Sequence, residues 1–124
     1  MHLILGGRCM GKRDYALSLR PDAILCDLEK EPPQTIERAE IADHIHGAVR
    51  SLMLEGNPVL PFFTQRVELM EGKILIGDEI GSGLVPVDPF ERAWRDETGR
   101  VYQWLAARAS RVERVWAGLV TRLK

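Results

Sequence analysis

Apolar residues in this chain fall into short runs separated by longer stretches in which they recur every three or four positions. Four runs read as buried strands: Leu3 to Leu5, Ala23 to Cys26, Lys73 to Ile76, and Arg114 to Ala117 extending towards Val120. Helical spacing fills the gaps. Lys12 to Leu19 is a short helix stopped by Pro21. Thr35 to Glu55 is the strongest pattern, with Ile41, Ile45, Ala48, Val49 and Leu52 on one face, Thr35 as cap and Gly56 as stop. Pro89 to Ala109 opens on a first-turn proline and buries Phe90, Ala93, Trp94, Val101, Trp104, Leu105 and Arg108 in one stripe. Between Leu60 and Met70, the spacing of Phe63, Val67 and Met70 suits one more short helix.

Short apolar strands alternating with helices predict an α/β fold, a P-loop NTPase-like three-layer sandwich. About four mostly parallel strands are expected, flanked by helices, with residues 1–124 forming a single domain. Right-handed crossovers would carry the strand ends at Gly6, Asp27 and Asp78 to one edge, where a ligand would lie.

Composition narrows the function. At 124 residues the chain can bury one real core, and its 45% apolar and 28% charged residues are ordinary for a globular protein. A net charge of −1 supplies neither a basic field for nucleic acid nor a polybasic membrane patch. No apolar run reaches transmembrane length, and the first residues lack the pattern of a secretory leader. Cys9 and Cys26 have no CxxC spacing, so a reducing cytoplasm is the expected setting.

The chemistry starts at Gly6. The segment Gly6-Gly7-Arg8-Cys9-Met10-Gly11-Lys12-Arg13 follows a strand and opens a helix, the arrangement that cradles nucleotide phosphates. Glycines let successive N–H groups curl towards an anion, the helix adds its positive end, and Lys12 can reach the terminal phosphates of ATP or GTP. GxxxxGK is complete, but Arg13 stands where Ser or Thr normally holds magnesium. A guanidinium cannot coordinate a cation, so Mg2+ would need carboxylates and phosphate oxygens. Alternatively, Arg13 itself neutralises phosphate charge. The plain rival is a tight strand-to-helix turn with a solvated lysine.

Asp27 ends an apolar run and is the candidate magnesium ligand, with Glu29 a weaker substitute. Asp78 and Glu79 leave another run into Ile80-Gly81-Ser82-Gly83-Leu84-Val85-Pro86, a loop able to present a base or ligand over a substrate. His44 and His46, two apart on the long predicted helix, cannot face the same way; His44 is expected to pack at the core edge and His46 to be more exposed. Either could serve as nucleophile or base. Arg92, Arg95 and Arg100 could clamp phosphate, although that face also reads as solvated. Trp94 and Trp104 suit the core, and His2 has no evident role.

The C-terminal half resembles the adenosylcobinamide kinase / adenosylcobinamide-phosphate guanylyltransferase family. Glu79, Ile80, Gly81, Gly83, Leu84, Val85 and Pro86 match its Glu-Val-Gly-x-Gly-Ile-Val-Pro segment. Arg95, Asp96, Gly99, Arg100, Val101, Gln103, Leu105 and Ala106 match the motif that follows. Gly6, Gly7, Gly11 and Lys12 align with the family's phosphate loop, which ends in Ser where this chain has Arg13. The resemblance implies phosphorylation of adenosylcobinamide, then GMP transfer from GTP through a guanylylated histidine, in cobalamin assembly and salvage. It also implies homo-oligomers, trimers among them, and a catalytic set of Lys12, Glu79 and His46. Relatives are longer between the phosphate-loop helix and the strand ending at Asp27, where their guanylylated histidine lies. His46 falls at a similar distance from the loop, but an alignment placing Glu40 to Leu54 on the helix before the Glu79 strand suits the spacing better. Phosphoryl transfer is therefore expected over guanylyl transfer. The alternative is a non-catalytic nucleotide- or corrinoid-binding module that self-associates or partners a complete enzyme.

Overall fold

The first apolar run forms β1 (His2–Gly6), and the chain then enters α1 (Lys12–Leu19). This computed structural model describes residues 1–81 and 83–124, so Ser82 of the 78–86 loop lies outside the described residues. β2 (Leu25–Asp27) leads through a 3-10 turn (Pro33–Glu37) into β3 (Ile41–Asp43) and α2 (Ile45–Leu54). α3 (Val59–Thr64), β4 (Ile74–Asp78) and α4 (Pro89–Arg108) follow. The chain closes with β5 (Arg111–Trp116) and β6 (Leu119–Arg122).

The sheet runs β2-β3-β4-β1-β5-β6, parallel except for the final hairpin. Residues alternate between its two faces. Ile4, Ile41, Ile74, Ile76 and Val115 pack with Ala16 of α1. Leu3, Ala42, Leu75 and Val112 pack with residues of α2, α3 and α4, such as Val49, Phe63 and Leu105. Helices therefore cover both faces, as the alternating pattern predicts.

Three expectations need correction. The helix expected from Thr35 to Glu55 is three elements, because His44 is left-handed (φ 61) and no α-helix passes through such a residue. Ile41 and Ala42 belong to a strand pairing both β2 and β4. Its burial on both faces gave apolar positions that also fit a helical period. The last run, in turn, does not continue to Val120 as one strand. Ala117 (φ 49) and Gly118 (φ 76) form a tight turn that sends β6 back antiparallel. The sheet has six strands among the described residues, not about four.

Register places the site. Gly6 pairs with Asp78 and Asp27 with Asp43, so β1, β4, β3 and β2 all end side by side at one edge.

Candidate active site

The loop from Gly7 to Gly11 rises from that edge. Gly6 must lack a side chain, because a Cβ there would strike the carbonyl oxygen of Val115. Cys9 (φ 58) and Gly11 (φ 96) turn the backbone through left-handed angles, and Gly11 caps α1. The 117–118 turn clamps the loop from outside: Gly118 N–H donates to the Met10 carbonyl at 2.9 Å and Ala117 N–H to Met10 Sδ at 3.2 Å. The amides of Arg8, Cys9, Met10 and Gly11 make no hydrogen bond within the protein among the described residues. They border a cavity of about 510 Å3 whose opposite wall is Asp27, Glu29, Asp43, His44 and Asp78.

Lys12 and Arg13, the first two residues of α1, are held by the strand ends. Lys12 is buried, its Nζ 2.9 Å from Asp78 Oδ1 and 2.5 Å from the Gly7 carbonyl. Arg13 donates from Nε to Asp43 Oδ2 at 2.6 Å and from Nη2 to Asp27 Oδ2 at 3.2 Å. Burial alone would lower the Arg13 pKa; the bonds and charges of Asp43 and Asp27 outweigh it and raise it. Asp27 shows the opposite balance. Burial pushes its carboxyl up, but the Glu29 amide, His44 and Arg13 together hold it below the ordinary carboxylate value.

The histidines differ from expectation. His46 is buried, not exposed, because Gly47 lets the start of α2 press against Leu28 and Glu29. Its Nδ1 accepts the Asp78 amide hydrogen at 3.1 Å, so Nε2 must carry the ring hydrogen and donate to Glu29 Oε1, also at 3.1 Å. Burial pushes the His46 pKa down against the pull of Asp78 and Glu29. His44 is half-exposed in the cavity wall, with Nδ1 2.7 Å from Asp27 Oδ1. Because His44 precedes α2 in a left-handed conformation, the two rings do meet, edge to face with their centroids 5.3 Å apart.

The sequence pattern makes Asp27 the expected magnesium ligand. Two groups, Asp27-Glu29-His44 and Glu29-His46-Asp78, bring ligand atoms within 4.8 Å of one another. In the second, His46 Nε2 is a donor and offers no lone pair. In the first, Asp27 already accepts from Arg13, His44 and the Glu29 amide. Asp43 is likewise bonded to Arg13, and residue 13 has no hydroxyl. This arrangement does not fit a magnesium ion on Asp27: a guanidinium stands in its place.

Glu79 turns away from the phosphate loop and makes a two-pronged pair with Arg114 at 2.7 and 3.0 Å. Arg92 donates to the Pro86 carbonyl at 3.0 Å and Arg95 to that of Leu84 at 3.3 Å, while Arg100 pairs with Glu97; none lines the loop cavity. Trp94 packs against the core and donates its indole N–H to the His46 carbonyl at 2.8 Å, which fixes the start of α2. Tyr102 bonds the Asp78 carbonyl at 2.8 Å and fixes the end of β4. Sequence reasoning missed Asp43; its signal was the apolar pair Ile41-Ala42 ending in an acid, as at Asp27. Neither cysteine is bonded to another, and among the described residues no helix is long and apolar enough to cross a membrane.

A strand, a curled glycine loop and a helix, set in a parallel sheet covered on both faces, define a P-loop-like α/β sandwich. The chain belongs to the cobinamide kinase / cobinamide phosphate guanyltransferase family, whose model matches residues 37–123, more than two thirds of its length. That family works in cobalamin biosynthesis with nucleotide and cobinamide substrates. The matched stretch contains Asp43, Asp78 and the 78–86 loop, and starts after the phosphate loop. No curated protein matches the chain.

Proposed function

We propose that this protein binds ATP or GTP on the Gly6–Arg13 loop and acts as a cobinamide kinase, passing the terminal phosphoryl group to the hydroxyl of adenosylcobinamide. The supporting observation is the set of unspent amides from Arg8 to Gly11, bordering a cavity that Lys12 and Arg13 also line. In the transfer the acceptor oxygen bonds to the γ-phosphorus, the bridging oxygen leaves with the nucleoside diphosphate, and the hydroxyl proton goes to water in the open cavity. Such a reaction needs positioning and charge stabilisation above all. Lys12 and Arg13 supply the charge, Asp27 and Asp43 anchor Arg13, and Glu79 orients the acceptor through Arg114. Guanylyl transfer through His46 fits less well, because one ring nitrogen accepts an amide hydrogen and the other carries its own.

Arg13 favours a second reading, nucleotide binding without turnover, in which the module self-associates or partners a complete enzyme. One assay separates the two. Phosphorylation of adenosylcobinamide by ATP or GTP, with Lys12→Ala as control, supports the kinase if only the unsubstituted protein turns over. Equal turnover in both removes the kinase assignment, and binding with no turnover selects the second reading.

A further inference from the structure

His44 holds a strained position that its helix does not require. Its φ of 61 is left-handed, a conformation that glycine adopts freely and a larger residue does not. It stands at the N-cap of α2, where Ser, Thr, Asp or Asn would bond a helix amide, yet its side chain makes no such bond. What the bend does is carry the imidazole to the wall of the phosphate-loop cavity, with 22% of the side chain exposed. Nδ1 lies 2.7 Å from Asp27 Oδ1. Asp27 is ionised and only accepts, so Nδ1 carries the ring hydrogen and Nε2 keeps a lone pair. Among the described residues Nε2 has no hydrogen-bond partner, because Glu29 Oε1, at 4.0 Å, is too far. Nor is it a buried orphan, so the lone pair is open to the cavity.

The carboxylate that fixes the ring also places it. Asp27 accepts from His44 on Oδ1 and from Arg13 on Oδ2, so ring and guanidinium flank one side chain. A phosphoryl group held by Arg13 therefore has the imidazole as its neighbour. An imidazole held in one tautomer by a carboxylate, with its far nitrogen free, is the arrangement of a general base. We infer that His44 is the general base of the phosphoryl transfer. Nε2 takes the proton of the acceptor hydroxyl, and the oxygen bonds to the γ-phosphorus with the electron pair so released. The bridging oxygen leaves with the nucleoside diphosphate. The imidazolium, with Asp27 at one nitrogen and Glu29 near the other, then hands its proton to water in the open cavity. The inference rests on the reading that the protein is a kinase; of the acceptor it requires only a hydroxyl.

Phosphorylation of adenosylcobinamide by ATP or GTP, compared in wild type, His44→Gly and His44→Asn, tests it. Both replacements suit a left-handed backbone, so both variants should fold and bind nucleotide as wild type does. Their kcat should fall about a hundredfold or more, with KM little changed. Imidazole added to His44→Gly should occupy the space of the missing ring and restore at least about tenfold of the lost rate. His44→Asn fills part of that space and should gain nothing. Turnover at the wild-type rate in either variant overturns the assignment. So does a slow His44→Gly that binds nucleotide normally but is not rescued by imidazole, since His44 would then serve only the fold. A phosphoryl group found on His44 overturns it too, making the ring a nucleophile. A wild type that binds nucleotide but never turns over overturns the kinase reading, and this assignment with it.

Discussion

Lys12 Nζ and Asp78 Oδ1 lie 2.9 Å apart, joining the start of α1 to the end of β4 across neighbouring strands. Both side chains are buried, so removing one partner leaves an uncompensated charge in the interior. Lys12→Ala should cost about 3 kcal/mol in urea unfolding and lower kcat about a hundredfold. The double variant Lys12→Ala/Asp78→Asn should recover most of the stability and none of the turnover. Recovery of both would show that Lys12 acts only as the counter-ion of Asp78.

Arg13 replaces an oxygen ligand with a fixed positive charge, and this predicts an unusual metal dependence. Nucleotide affinity of the unsubstituted protein should differ by less than about twofold between magnesium and EDTA. Arg13→Ser frees Asp27 and Asp43 and restores the loop hydroxyl, so its affinity should rise at least about tenfold with magnesium. Calorimetric titration under the two conditions decides it. A strong magnesium requirement in the unsubstituted protein would assign the charge-neutralising role to the metal instead.

Most of the architecture was legible because β1 and β4 carry short uninterrupted apolar runs, α4 carries a long helical period, and GxxxxGK marks its own turn. Family membership was legible from Glu79 to Ala106 for the same reason, since those residues sit within the matched span. What escaped was local geometry set by tertiary contact. A three-residue strand at Ile41–Asp43 has too few positions to show a period, and the left-handed bend at His44 leaves no signature in residue type. With that bend hidden, the exposures of His44 and His46 were assigned the wrong way round. The pairing of Arg13 with Asp43 was equally invisible, because 30 residues separate them.

His46 holds the Asp78 amide through Nδ1, and that bond predicts a positioning role. His46→Ala leaves a buried N–H without a partner and should destabilise the fold by about 1–3 kcal/mol. After incubation with GTP, intact-mass and peptide mass spectrometry should find no guanylyl group on His46. A stoichiometric, acid-labile adduct there would reassign it as the nucleophile.

β6 is an edge strand exposed along its whole length; its Leu119 and the paired Trp116 of β5 remain 69% and 59% exposed. An apolar edge of this kind invites a partner strand or face. Sedimentation should therefore show concentration-dependent self-association. Leu119→Lys should shift the equilibrium to monomer by about tenfold or more while sparing nucleotide binding. A concentration-independent monomer in the unsubstituted protein would rule out assembly through this edge.

Glu113 is buried on β5 and accepts bonds from His2 Nε2 at 2.5 Å, Tyr15 at 2.8 Å and Arg111 at 3.1 Å. Burial pushes its carboxyl up, but these three donors outweigh burial and hold its pKa below 4.5. The unfolded chain therefore binds a proton that the folded chain resists. Stability from Glu113 is complete above the unfolded value and disappears as pH falls through the lower folded one. His2 adds to the same trend from a higher pH. Burial depresses its pKa below 6.5, so the unfolded state takes up its proton first and stability begins to fall below that point. Unfolding midpoints measured from pH 7 to pH 3 should decline in two stages, the steeper below about pH 4.5. Glu113→Gln should lose about 2 kcal/mol at pH 7 and flatten the lower stage. An unchanged acid limb in that variant would show that carboxylates elsewhere govern acid unfolding.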